Sequence, residues 1–223
     1  VNNKQKNICK LFSIKYSFDI FGKDLNITHE ELLKKNGSTN KISNFDYLKY
    51  KKDNNFSKTI PFENFILVHL DEKWFSSTYI KHYREINPSF ENFSNFIKSL
   101  TDKNNKIVIT TGLTSNNLIE RLMQYSIRRI GENVHIFNIK EDIIIVNKPT
   151  FLDLESLLRK TKTLITCHGS MTHAAASFNI KIIDIVEETR KELVERYSLY
   201  INNYYKVYRA NFKTLVQNIL QKI

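Results

Sequence analysis

From residue 65 onward, short apolar runs alternate with segments of helical periodicity. The apolar runs cover 65–70, 107–109, 134–137, 143–146, 164–167 and 180–185. They are continuous rather than alternating with polar residues, which is typical of strands covered on both faces. Helices are predicted at 90–100, 118–130 and 152–159, followed by an Ala-rich helix that starts near residue 170. The pattern predicts an open, mostly parallel α/β sheet flanked by helices.

Residues 1–64 have a different character. They are polar and rich in Asn and Lys, and their one helical signal runs from a Thr28 cap to Gly37. This stretch is too short for a second α/β domain, which typically needs roughly 100 residues. We therefore expect a short irregular segment at 1–64 and an α/β domain at 65–223. A C-terminal helix at 209–223 would pack against residues 1–64, and the tyrosines before it are expected as packed, buried aromatics.

The chain is basic, with 34 Lys and Arg against 23 Asp and Glu and a net charge of +11. Excess lysine attracts nucleic acid, anionic membrane surfaces and phosphorylated ligands alike, and it can also be only a solvated surface. The lysines are scattered and no nucleic-acid motif accompanies them, so we do not expect a nucleic-acid partner.

Membrane insertion and disulfide bonding are both unexpected. No apolar run approaches the roughly 20 residues of a membrane span, and residues 1–10 lack the apolar core of a signal peptide. The two cysteines, Cys9 and Cys167, have neither disulfide nor metal-ligand spacing, and Cys167 at the end of a strand suits a small core residue. We expect a cytoplasmic protein without a cofactor.

One strand leads into a turn of small residues and then into a helix, and this turn is the strongest functional signal. Residues 167–176 read CHGSMTHAAA. Unpaired N–H groups at a helix N-terminus favour a bound anion, with Gly169, Ser170, Met171 and Thr172 as candidate phosphate contacts. His168 and His173 are candidates for hydrogen bonds to a ligand or for proton transfer. The competing interpretation of His173 is a buried core histidine.

Two other loops should open on the same edge of the sheet, because ligands of such sheets bind at the carboxyl ends of the strands. The loop after 65–70 carries Lys73, a candidate phosphate ligand, beside Trp74. The loop after 107–109 offers Thr111, Gly112 and Thr114 as hydrogen-bonding groups. The alternatives are a solvated Lys73, a core Trp74 and a Thr114 that only caps its helix.

Three segments, in this order, resemble glycosyltransferase family 9, the heptosyltransferase-like enzymes. Residues 153–176 resemble the family's helix, strand and D-[ST]-G-P-x-H-x-A-A-A turn, which binds the donor. Strand 67–70 with Lys73 and Trp74 resembles the start of the C-terminal domain, where a Lys near a Trp helps to hold the nucleotide sugar. Residues 107–112 resemble the second strand and its glycine turn. The resemblance implies a Rossmann-like domain of the GT-B type, covering about 65–184.

The chain departs from the family pattern at the turn. Cys167 and His168 stand where the family has Asp, Ser170 replaces its Pro, and Thr172 aligns with its His while His173 follows one place later. The resemblance implies a conserved diphosphate-binding backbone with different groups facing the sugar. Residues 1–64 would be a remnant of the family's acceptor domain, a linker or a substitute cap.

The resemblance implies a metal-independent glycosyltransferase, or its donor-binding half, that uses a nucleotide sugar and a cell-surface polysaccharide or lipopolysaccharide acceptor. His168 and His173 would be the catalytic residues, and the basic surface would suit peripheral contact with the anionic inner membrane. The alternative is a non-catalytic nucleotide-sugar-binding module that works with a partner chain.

Overall fold

The computed structural model describes residues 54–75, 84–112, 117–129, 134–137, 142–198 and 201–223. The predicted helix at 28–37, Cys9 and Thr114 lie outside these ranges. The chain divides into two compact units, one made of Val1–Phe45 and Arg190–Tyr200, the other of Asp46–Thr189 and Ile201–Ile223. Within the first unit, the described residues form the helix α5, Lys191–Ser198. All other elements belong to the second unit.

The second unit is built on an eight-stranded sheet. In chain order the strands are β1 (Phe65–Leu70), β2 (Ile107–Thr111), β3 (Ser126–Arg129), β4 (Val134–Phe137), β5 (Ile143–Val146), β6 (Thr161–Cys167), β7 (Lys181–Val186) and β8 (Tyr204–Tyr208). Their order across the sheet is β3-β4-β5-β2-β1-β6-β7-β8. The six neighbouring strands β5, β2, β1, β6, β7 and β8 are parallel to one another. The strands β3 and β4 add an antiparallel edge beside β5.

The six parallel strands follow the 3-2-1-4-5-6 order of a Rossmann-like sheet, which confirms the predicted fold class. The order reverses between β1 and β6, which pair directly, for example at Leu67 and Leu164. All six residues of β1 are buried, as are residues 182–186 of β7. The continuous apolar runs therefore do mark strands covered on both faces.

Helices flank the sheet, and three of them begin at side-chain caps. They are α1 (Phe90–Thr101), α2 (Asn117–Met123), α3 (Phe151–Leu158), α4 (Ser170–Ala176) and α6 (Phe212–Leu220). Ser89 caps α1, Thr150 and Asp153 form a capping box on α3, and Asn211 caps α6. The rings of Phe93 and Phe96 on α1 lie 6.4 and 6.1 Å from the Phe212 ring, so α1 and α6 share one apolar layer.

Three sequence predictions needed correction. The helix predicted at 118–130 ends at Met123, and residues 126–129 form β3 instead. The C-terminal helix starts at Phe212 rather than at 209. The tyrosine-rich stretch before it was expected only as packing aromatics, yet Tyr204–Tyr208 is the strand β8. Among the described helices, none is both long enough and apolar enough to cross a bilayer.

Candidate functional site

Three loops meet at the carboxyl ends of β1, β2 and β6, as expected for neighbouring parallel strands. The N–H of Gly112, after β2, donates to the carbonyl of Leu70 at 3.0 Å. A Cβ on Gly112 would lie 3.1 Å from the Cα of Asp71, tighter than most real Cβ contacts, so any larger residue would require the neighbouring backbone to shift. The loop after β6 reaches the same place through a contact with Lys73.

Lys73 lies in a short 3-10 turn, Glu72–Trp74, that Asp71 caps. Asp71 accepts from the Lys73 N–H at 3.1 Å and forms an ion pair with its ammonium at 3.2 Å. The ammonium also donates to the carbonyl of His168 at 2.8 Å, which joins the β1 and β6 loops. Burial raises the pKa of Asp71, and Lys73 partly offsets this. Burial alone would lower the pKa of Lys73. The attraction of Asp71 outweighs this effect, so the pKa of Lys73 is raised.

Gly169 leaves the space that the Lys73 ammonium occupies. A Cβ at Gly169 would lie 2.4 Å from Nζ of Lys73, closer than any real contact. The obstructing atom is the end of a flexible side chain, so a larger residue would displace the ammonium and not the backbone. Gly169 therefore provides the room in which this positive charge lies.

His168 is bonded to a carboxylate that the sequence prediction overlooked. Its Nδ1 lies 2.6 Å from Oδ2 of Asp184 on β7. Tyr204 donates its hydroxyl to the same oxygen at 2.7 Å, and Thr172 donates to Oδ1 at 3.0 Å. The rings of His168 and His173 stand edge to face, with centroids 5.5 Å apart. Both predicted histidines thus lie together at the end of β6.

The other predicted contacts of this turn differ in their surroundings. The Gly169 N–H donates to Thr172 Oγ1 at 3.3 Å, so both groups are bonded within the chain. Met171 is 4% exposed and Thr172 is fully buried, whereas Ser170 is exposed. Of these four residues, Ser170 has the side chain that solvent and ligands can reach.

Thr111 lies at the predicted edge but bonds to another loop. Its hydroxyl accepts from the Lys148 N–H at 2.6 Å and lies 3.3 Å from Oδ1 of Asn147. It thus ties the end of β2 to the loop after β5. Thr114 is outside the described residues, and its assignment stays a prediction.

Trp74 and Cys167 are core residues. Trp74 is fully buried and donates its indole N–H to the carbonyl of His69 at 2.9 Å, which matches the core interpretation. Cys167 is 1% exposed, and burial holds the pKa of its thiol well above the usual range. Such a thiol is inert, because the thiolate is the reactive form.

Arg209, just after β8, is a buried cation beneath the site and was also overlooked. It is 3% exposed, and it donates to the carbonyls of Arg84 at 2.8 Å and Lys73 at 2.7 Å. Its Nε lies 3.9 Å from the Glu187 carboxylate. Arg209 therefore fixes the backbone of the Lys73 turn from below.

A sequence signal existed for Asp184 but not for Arg209. Asp184 interrupts an otherwise apolar run, and a buried carboxylate is rare unless it is paired. Arg209 follows an aromatic stretch and reaches partners far away in sequence, so nothing local distinguishes it. Within the described ranges, no three His, Cys, Asp or Glu side chains are arranged to hold a metal ion.

His69 on β1 has an unusual protonation equilibrium beneath these loops. Its Nδ1 lies 2.9 Å from Oγ1 of Thr110 on β2. Burial, with a smaller contribution from the Lys73 charge, lowers the pKa of His69 from 6.5 to about 4. The folded chain therefore keeps this imidazole neutral where the unfolded chain protonates it.

We expect acid to destabilise the protein through His69. Between pH 6.5 and 4 the unfolded state binds a proton that the folded state refuses, so stability present above pH 6.5 is lost as the pH falls. The loss is roughly 3 kcal/mol, from 1.36 kcal/mol per pKa unit. Urea unfolding at several pH values measures it. H69N, whose amide can still bond Thr110, should lose this part of the pH dependence of the unfolding free energy. An equal pH dependence in wild type and H69N would contradict the assignment.

Comparisons with solved structures agree with the fold. E. coli heptosyltransferase WaaC with ADP matches with a TM-score of 0.53 and 14% identity, over 87% of this chain and 55% of that one. The same enzyme with ADP-2-deoxy-2-fluoro heptose matches with a TM-score of 0.53 and 15% identity, over 96% of this chain and 59% of that one. The fold is Rossmann-like, of the GT-B domain type. This chain thus spans little more than half the length of these heptosyltransferase structures.

A further structural match is the UDP-GlcNAc 2-epimerase from Methanocaldococcus jannaschii. It has a TM-score of 0.46 and 13% identity, over 76% of this chain and 42% of that one. No family model and no curated protein matches the sequence.

Proposed function

We propose that this chain is the nucleotide-sugar-binding domain of a glycosyltransferase similar to family 9. It would bind the donor diphosphate at Lys73 and Gly169 and support sugar transfer to a cell-surface glycan or glycolipid. The GT-B-type fold supports this, since Rossmann-like sheets bind their ligands where the strand order reverses. Here that point lies between β1 and β6. ADP and ADP-heptose analogues occupy the similar heptosyltransferase structures.

The Lys73 ammonium at this reversal carries the proposal. An ammonium has three donors, and those of Lys73 bond the His168 carbonyl and the Asp71 carboxylate. The third remains for a phosphate oxygen of an incoming ligand. Gly169 leaves the adjoining space open to the ammonium, and the side chain of Lys73 is still 17% exposed. The result is a prearranged positive charge at the edge of the sheet.

In the proposed reaction, Lys73 neutralises the charge that develops on the departing nucleoside diphosphate. A charge held in place before the reaction stabilises the transition state without reorganisation. Ser170, exposed at the start of α4, is positioned to bond the donor from the side of β6. Gly112 lets the β2 loop lie close to the backbone of Asp71 and to the carboxylate of Glu72.

Isothermal calorimetry with ADP and UDP tests the binding site. We expect K73M to weaken the affinity about 10- to 100-fold, because a charge-assisted hydrogen bond contributes roughly 1.5–3 kcal/mol. G169A should also weaken it, since its Cβ displaces the ammonium, and adding G169A to K73M should have little further effect.

The matched control is K98M, which removes an exposed lysine from α1 and changes the net charge equally. It should bind both nucleotides as the wild type does. Equal losses of affinity in K73M and K98M would attribute the effect to overall charge rather than to the position of Lys73. A wild-type chain that binds neither nucleotide would contradict the proposal.

A second candidate is a binding module that lacks turnover by itself. The observation in its favour is coverage, because the described residues form one Rossmann-like sheet and the chain spans 55% of WaaC. Release of UDP or ADP from nucleotide sugars, with and without added partner domains, separates the two. Binding without release by the chain alone would favour the module.

A further inference from the structure

Asp184 is a fully buried carboxylate in the middle of an apolar strand. Three elements converge on it: His168 from the end of β6, Thr172 from α4 and Tyr204 from β8. A buried charge is costly unless it is paired and hydrogen-bonded, and here both carboxylate oxygens have donors. An apolar residue would fill this position in an ordinary core strand, so the carboxylate serves the groups around it.

The group that Asp184 orients most directly is the His168 imidazole. A carboxylate can only accept hydrogen bonds, so at 2.6 Å the His168 Nδ1 must be the donor. The neutral ring then carries its proton on Nδ1, and Nε2 holds the lone pair. The backbone of His168 is fixed as well, because its N–H donates to Ile185 at 3.0 Å and its carbonyl accepts from Lys73.

Lys73 and the imidazole approach the turn from opposite sides. Lys73 comes from β1 and bonds the backbone of His168, while the imidazole turns toward β7, and β6 lies between those strands. Among the described residues, the titratable groups close to the ring include His173 on α4, whose ring centroid is 5.5 Å away, and Tyr204 on β8, which shares the Asp184 oxygen. This separation assigns different tasks to the ammonium and to the imidazole.

We propose that Asp184 is a positioning residue that holds His168 with Nε2 as a proton acceptor, making His168 the base of the transfer reaction. This rests on the proposed function. The attacking hydroxyl oxygen forms a bond to the anomeric carbon and gives its proton to Nε2. The bond from that carbon to the diphosphate breaks, and its electron pair leaves on the diphosphate beside Lys73. The imidazolium that results faces the Asp184 carboxylate, as in other paired acid and histidine sites.

The ring tautomer is a direct test that needs no substrate. In the full chain labelled with 15N, the neutral His168 ring should give one protonated Nδ1 signal and one unprotonated Nε2 signal. D184N should lose this preference, because an amide can also donate to Nδ1. Y204F, which keeps the carboxylate and removes one donor to it, should retain the wild-type tautomer. An Nε2–H tautomer in the wild type, or an unchanged tautomer in D184N, would overturn the positioning role.

Calorimetry with ADP and UDP then tests the role of His168 itself. A base acts on the incoming hydroxyl, so H168N should bind both nucleotides within about threefold of wild type while K73M loses affinity. A loss in H168N as large as that in K73M would make His168 a phosphate ligand, overturning its assignment as the base while the proposed function stands. Wild-type protein that binds neither nucleotide would overturn both.

Discussion

Replacing Arg209 by methionine is expected to lower the free energy of unfolding by about 3–5 kcal/mol, the usual cost of removing one partner of a buried charge pair. The side chain is 3% exposed, and its guanidinium bonds the carbonyls of Lys73 and Arg84. Methionine fills the volume but leaves both carbonyls without these donors and the 8% exposed Glu187 without its cation. Urea unfolding followed by the fluorescence of Trp74, the single tryptophan, measures the loss.

Two variants control this experiment. R209K keeps the positive charge but loses the planar fork of donors, so its loss should fall between those of wild type and R209M. R190M removes an exposed arginine and should change stability by less than about 0.5 kcal/mol. If R209M matches R190M, the buried guanidinium does not hold the Lys73 turn in place.

Truncating Trp74 to alanine is expected to destabilise the protein by a similar amount, about 3–5 kcal/mol. The indole is fully buried in the core beneath the site, and its N–H donates to the His69 carbonyl at 2.9 Å. W74A therefore opens a cavity and leaves a buried acceptor without its donor. Far-UV circular dichroism during urea unfolding measures the change, because the variant lacks the fluorescent ring.

W74F separates the two contributions. It retains most of the ring volume and removes the N–H, so we expect a loss of about 1–2 kcal/mol. A loss in W74F as large as in W74A would assign the whole effect to the hydrogen bond. No loss in W74A would contradict the assignment of Trp74 as a core residue.

The sheet was largely predictable because burial on both faces leaves a direct trace in the sequence. Apolar stretches rich in Ile, Val and Leu mark β1, β2, β5, β6 and β7. The edges were harder. Three of the five residues in β8 are tyrosines, none of them fully buried, and the pattern alone cannot distinguish these from aromatics packed around a helix. Helical spacing continues past Met123, but the chain turns at Tyr125 and pairs as β3, so tertiary pairing overrides local preference there.

The position of the candidate site followed from the topology, whereas its chemistry did not. Parallel neighbours necessarily bring Lys73 and His168 to one edge once the strands are ordered. Their partners depend on long-range contacts: Lys73 bonds across 95 positions and Arg209 across 136. Local patterns do not contain such pairings. Asp184 was the exception, because a single acid within an isoleucine run indicates a buried partner.

The last strand has a consequence for how the protein is made. Chains are synthesised from the N-terminus, and Tyr204 and Arg209 follow every other group of the candidate site. A nascent chain that stops before β8 already contains the Glu72–Trp74 turn and the turn at Gly169. In that chain Asp184 has no hydroxyl donor from Tyr204, and the Lys73 carbonyl has no donor from Arg209. We therefore expect the candidate site to be complete only after β8 has joined the sheet.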